Sequence, residues 1–341
     1  MKKLIVILIA YTLFLTPAFA QRWDTLGGGL PFGSTIFGLN IYNGQLIAGG
    51  DFDSAGGQPA NNIAQWNGSV WSALGLGITG PYPIAEPPTE YNGDLIVVGS
   101  FNSPANGIAE WNGSAWANPF GGLYFVSYAG AIAAIVHNGK LVVGGGFSSA
   151  GGIPVNNIAQ WNGTQWDSLG SGVLGIVPSY SYRSILALDT FQGNLIAGGE
   201  FDTAGGQPAE RIAEWNGTSW SPLSSGCTGS GLLYPSMVEA LTVYNGELIV
   251  GGYFDTVGGI PANKIAAWNG TSWSNPFGSG TVGDNGGVMA LAVYKGKLIV
   301  SGEFDSIDGV TAHSIAEWDG SNWYALGKGI TWGGGMGLDA L

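Results

Sequence analysis

The chain has 341 residues, with 10 Lys and Arg against 23 Asp and Glu and a formal net charge of −13. Such a surface repels phosphate backbones and anionic lipid, which argues against nucleic-acid or membrane partners. Cys227 is the one cysteine, so no intrachain disulfide forms, and 45% hydrophobic residues with 14 tryptophans exclude a disordered chain despite 61 glycines.

Residues 1–20, MKKLIVILIAYTLFLTPAFA, read as a secretory signal peptide. Lys2 and Lys3 precede an apolar run, and Ala18-Phe19-Ala20 supplies a small-x-small cleavage site. No later stretch is long and apolar enough to span a bilayer as a helix. The mature chain, 21–341, is therefore expected outside the cytoplasm, secreted or displayed at the cell surface, as a single domain.

After RWDTLGGG (22–29), one phrase is written six times: IAQWNGSVW, IAEWNGSAW, IAQWNGTQW, IAEWNGTSW, IAAWNGTSW and IAEWDGSNW. Its first tryptophan falls at 66, 111, 161, 215, 268 and 318, at intervals of 45, 50, 54, 53 and 50 residues. A period near 50 suits propeller blades better than helical solenoids, whose units are shorter. The fifth unit parses into four strands: VEALTVY (238–244), ELIVGGYF (247–254), KIAAW (264–268) and TSWSNPF (271–277). Asn245-Gly246 and Asn269-Gly270 join the outer pairs as expected two-residue hairpin turns, where both residues need positive φ. A glycine-rich loop, DTVGGIPAN, joins the middle pair. On this reading Asn67, Asn112, Asn162, Asn216 and Asn269 recur for the turn, and the glycan acceptor pattern they complete is a by-product; Asp319 keeps the turn and loses the pattern. The paired tryptophans are expected to fill the space between blades.

The chain ends on GMGLDAL (335–341), which matches a first strand, and RWDTLGGG matches a fourth strand such as NWYALGKG (322–329). The fold expected is thus all-β, a β-propeller of four-stranded blades: six complete repeats plus partial strands, with seven blades in a full ring and the chain truncated at its C-terminal side.

The blade wording, LIAGGDF…IAQWNGSVW and LIVGGYF…IAAWNGTSW, resembles kelch-type blades. GGxFxxxGG…IAxWNG is closer still to repeats of secreted bacterial propellers and of the Rax2-type cortical polarity marker. The resemblance covers roughly residues 34–341 and implies a propeller fold; propellers host enzymes, lectins and adaptors alike, so it implies little about function. The copper chemistry of kelch-like oxidases does not carry over, since His137 and His313 are the only histidines.

Spacing separates scaffold from variation. From the first-turn position to the first tryptophan is 23 residues in five copies and 19 in the second, whereas the link between blades varies from 20 to 26. These links and the glycine-rich loops emerge on one face, where binding is expected. Its aromatics are the ligand-binding candidates: Tyr82, Tyr124, Tyr128, Tyr180, Tyr182, Tyr234 and Trp332, with Phe125 nearby. Loop carboxylates Asp51, Asp53, Asp202, Asp255 and Asp305, with Glu200, Glu303 and Asp308 beside them, are weak calcium candidates; no EF-hand spacing exists, and turn capping explains them better. A third set, Glu86, Glu239 and Asp339, aligns on the first strand, but Phe37, Ile132 and Leu186 stand there in other copies.

Enzyme motifs are lacking: no glycine-flanked nucleophile, no histidine pair at metal spacing, no phosphate loop. The expectation is a non-catalytic propeller that binds a protein or glycan through its loop face, with no cofactor unless calcium. A carbohydrate-active enzyme using two loop carboxylates and a passive spacer are the alternatives.

Overall fold

The computed structural model describes residues 26–125, 130–175, 184–229, 236–283 and 286–330. The expected signal peptide and the C-terminal GMGLDAL lie outside them. All regular structure among the described residues is β, in six antiparallel blades. Blade 5 is representative: Met237–Tyr244, Glu247–Tyr253, Ile265–Trp268 and Trp273–Ser274 pair in that order. The expected strands hold, with the fourth cut short. Blade 2 departs from the rest where Pro87 and Pro88 fall. Lacking ladder donors, they split its first strand into Ile84–Ala85 and Thr89–Tyr91.

The first turn is as expected. Asn245 and Gly246 have φ of 50° and 83°, the left-handed pair of a type I′ hairpin. Gln192 and Lys295 adopt the same conformation (φ 48° and 49°) in their blades. The second turn is a correction. Trp66 pairs with Trp71 across a four-residue loop, and the left-handed residue is Gly68 (φ 96°) rather than the asparagine. Asn67 acts through its side chain, its Oδ1 accepting the N–H groups of Ser69 and Val70 at 2.9 Å each. This is an Asx-type cap. It explains why Asp319 substitutes so cleanly: its carboxylate takes the N–H groups of Ser321 and Asn322 at 2.8 Å each. Those two bonds hold its pKa below the ordinary carboxylate value.

Packing between blades follows from two repeated features. Small residues on the second strand admit the next blade's first strand. A Cβ added to Gly198 would lie 2.4 Å from Val238, and one on Gly251 would lie 2.4 Å from Val288. Blade 2 carries Val98 there instead, and it shares a buried cluster with the smaller Ala131 of blade 3. The tryptophan pair supplies the second feature. Its rings sit 5.0–5.6 Å apart between centroids. The indole N–H of the second member reaches back to a backbone carbonyl of the preceding unit: Trp116 to Leu74, Trp166 to Phe120 and Trp220 to Leu169, each at 2.8 Å. Trp71, Trp273 and Trp323 make the same bond to Leu26, Leu223 and Phe277. The tryptophans are thus core residues as expected.

First strands of successive blades pack side by side. Five of the six carry a one-residue bulge, which skips Phe37, Ile132, Leu186, Glu239 and Met289 in the pairing with strand two. A bulge re-aims the residue it frees, so the position where Glu86 and Glu239 align is a built feature of the repeat. Glu86 is buried and Glu239 half-buried; Asp339 lies outside the described residues.

Candidate functional site

Because the four strands of a blade alternate in direction, the loop between strands two and three and the link to the next blade leave at the same end. The structure ties them together there. In blade 3 the link strand Leu123–Tyr124 pairs with Ser149–Ala150, which turns back as Ile153–Pro154. Blades 4, 5 and 6 repeat this three-stranded satellite sheet, beginning at Val173, Cys227 and Thr281. Sequence reasoning missed it, although a signal exists. Seven residues after the second tryptophan stands Ile78, Leu123, Val173, Cys227 or Ile330, with Thr281 eight residues after Trp273. Cys227 is one occupant of that apolar position; it is fully buried, and burial pushes its thiol pKa up.

The satellite sheets of blades 3 to 6 back that part of the loop face, and apolar side chains stand out from the face as a whole. Of the eleven large hydrophobic side chains exposed among the described residues, seven are on this face, Phe32 (99%), Leu76 (86%), Tyr82 (66%) and Tyr124 (62%) being the most exposed. Of the aromatic candidates, Tyr82 and Tyr124 are thus exposed on this face. Phe125 is half-buried against the core between blades 2 and 3. Tyr128, Tyr180, Tyr182, Tyr234 and Trp332 lie outside the described residues.

The loop carboxylates are distributed over different blades. Asp255 forms an ion pair with Lys264. Asp308 accepts the N–H of Ser279 at 2.8 Å and its hydroxyl at 3.1 Å, a turn-capping role. Asp202 is half-buried and Asp305 exposed. Among the described residues no three or more His, Cys, Asp and Glu side chains come together as a metal site. His137 is buried in place of the tyrosine that precedes the first turn in four of the other five blades, 3.4 Å from the Thr190 hydroxyl, and burial lowers its pKa.

Asp51 and Asp53 differ from the other acids. They line a cleft of about 460 Å³ between the segment leading into blade 1 and the link from blade 1 to blade 2. Phe32, Asn61, Asn62 and Pro83 complete its wall, and Tyr82 precedes Pro83. Asn62 is a fixed part of the floor. It is buried, its Oδ1 accepts the Phe52 N–H at 3.1 Å, and its Nδ2 donates to the Ile78 carbonyl at 2.8 Å. The Ser54 hydroxyl donates to one oxygen of Asp53 at 2.9 Å. No cation of the described residues pairs with Asp51 or Asp53.

Comparison with known proteins bears on the fold. The family described as a domain of unknown function (DUF5122) β-propeller matches residues 43–68 and 138–162. Each stretch runs from the first turn to the second turn, of blades 1 and 3 respectively. No curated protein matches the sequence. The structure is similar to the crystal structure of the extracellular domain of BT4673 from B. thetaiotaomicron, described as a hybrid two-component system, with TM-score 0.57 and 10% identity over 89% of this chain. This chain spans about a third (34%) of the length of that one. A second likeness, to YjhT, has TM-score 0.45 and 13% identity over 87% of this chain and 99% of the other. Among the described residues no helix is long and apolar enough to cross a membrane. The chain is an all-β propeller, built from repeats whose first and third copies carry the matched family segments.

Proposed function

We propose that the protein is a secreted or cell-surface β-propeller that binds a macromolecule, protein or glycan, through its loop face, without chemistry of its own. The observation that carries this reading is the concentration of exposed apolar side chains on the loop face, seven of the eleven among the described residues. A monomeric soluble surface keeps such groups scattered; clustered and rimmed by polar residues, they mark interaction sites. Export is supported by the N-terminal basic-apolar-small pattern, and the similar BT4673 domain is itself extracellular. The blades are taken as kelch-like, similar to Rax2-type repeats, on the GGxFxxxGG…IAxWNG wording.

The test is binding of the mature protein to arrays of glycans and of extracellular proteins, with and without calcium. Variants Phe32→Ala, Tyr82→Ala and Tyr124→Ala should each weaken whatever is bound, whereas Val70→Ser and Tyr324→Ala, away from the loop face, should not. Binding that tracks the second pair and ignores the first three overturns the reading.

A further inference from the structure

The six repeats allow one blade to be compared with another at the cleft. In blade 5, Lys264 precedes the third strand with a left-handed φ of 81°, its N–H bonded to the Phe254 carbonyl at 2.8 Å. Its side chain, 8% exposed, carries the ammonium to Asp255. In blade 1 the same backbone recurs. Asn62 has φ 62°, its N–H meets the Phe52 carbonyl at 2.8 Å, and Asp53 stands where Asp255 stands. The carboxylate is kept and the lysine is not. The short Asn62 is held down by its own two hydrogen bonds and lines the cleft.

We propose that this cleft binds the cationic end of a lysine or arginine side chain on an exposed segment of a partner protein, which takes the place Lys264 occupies in blade 5. Asp53 meets the cation as Asp255 does, with Asp51 as the second carboxylate on the wall. Phe32, almost wholly exposed, offers a ring face to the cation or its stem. Other occupants fit less well. Calcium takes six to eight oxygen ligands, and here two carboxylates stand beside an asparagine whose side chain is already committed. The chain's net charge of −13 steers a basic segment toward this surface. Blade 6 also sets a short residue at this position, Ser314 opposite Asp305. The proposal rests on the loop face being a binding surface and names the partner chemistry for one part of it.

The test uses the mature protein and two probes: an acetyl-capped tetralysine peptide and the same peptide with all four side-chain amines acetylated, titrated calorimetrically at low and at physiological salt. The first should bind and the second should not. Asp53→Asn removes the carboxylate, and Asn62→Lys supplies the internal cation of blade 5. Each should weaken the peptide about tenfold or more, while Glu90→Gln, an exposed acid on another strand, should change it less than about twofold. Thermal melts of both cleft variants check that they fold. Equal binding by wild type, Asp53→Asn and Asn62→Lys would reduce the effect to diffuse attraction and overturn the proposal, as would equal binding of the acetylated peptide or none of either. A partner captured through Tyr124 and unaffected by Asn62→Lys would overturn it while leaving the loop-face reading intact.

Discussion

Trp166→Phe tests the account of how blades are held together. Trp166 is 2% exposed, its indole N–H donates to the Phe120 carbonyl at 2.8 Å, and its ring packs against Trp161 and Phe120 with centroids 5.6 and 6.1 Å away. Phenylalanine retains a ring but no donor. The buried Phe120 carbonyl then lacks its partner, at about 1–3 kcal/mol, and the thinner ring loses part of the aromatic contact, about 1 kcal/mol. The expected loss is about 2–4 kcal/mol. Trp116 provides the internal control: it makes the same bond at 2.8 Å to Leu74, but is only half-buried. Leu74 is itself fully buried, so its carbonyl is left unpaired in the same way, and Trp116→Phe should cost less, by about 1 kcal/mol, only for the smaller packing of a half-buried ring. Urea unfolding followed by far-UV circular dichroism reads both, provided the slope with denaturant is unchanged. If neither substitution costs more than about 1 kcal/mol, the hydrogen bond is not what distinguishes tryptophan at these positions.

Asn269→Asp should leave stability within about 0.5 kcal/mol, because Asp319 already makes the same cap, whereas Asn269→Ala should cost about 1 kcal/mol in thermal melts. Gly198→Ala should cost about 1–3 kcal/mol, since its methyl would meet the Val238 side chain at 2.4 Å; a melting temperature equal to wild type would contradict the packing described. His137 is held neutral by burial, its folded pKa lying below the unfolded value. The unfolded state therefore binds the proton more readily, and stability present at neutral pH should fall as pH drops below about 6.5. His137→Phe, the residue type of Phe191 at this position, should flatten that part of the urea midpoint-versus-pH curve. Cys227 should react with a thiol reagent only in denaturant, its burial and raised pKa both opposing thiolate formation.

Strand content and order were legible because apolar runs such as LIVGG and the paired tryptophans repeat with period near 50. The first turn was legible for the same reason that Asn-Gly is rare elsewhere: both its residues need positive φ. The second turn shares that dipeptide, yet its asparagine works as an acceptor, a difference that residue identity cannot carry and Asp319 only hints at. The satellite sheets escaped because two-residue strands have no periodicity to detect; the apolar residue seven places after tryptophan was the available sign. Within the site, Tyr82 and Tyr124 were legible as aromatics between turn residues. The cleft was not, since it joins Phe32, Asp53, Asn62 and Pro83, which meet only through the blade geometry. The exchange of Lys264 for Asn62 is visible in an alignment of repeats, but its meaning depends on the contact with Asp255.

The carbonyls that receive the indole N–H groups lie three or four residues after the preceding tryptophan, as Leu169 does after Trp166 and Phe277 after Trp273. Blade is joined to blade before the chain enters the segment whose length varies. Blades are thus registered by bonds before the links and by first-strand packing after them, so a link can lengthen or change sequence without altering the angle between the blades it joins. Such a molecule separates two evolutionary tasks, conserving one geometry while exploring many surfaces, and places the tolerance for new sequence on the side where a partner would arrive.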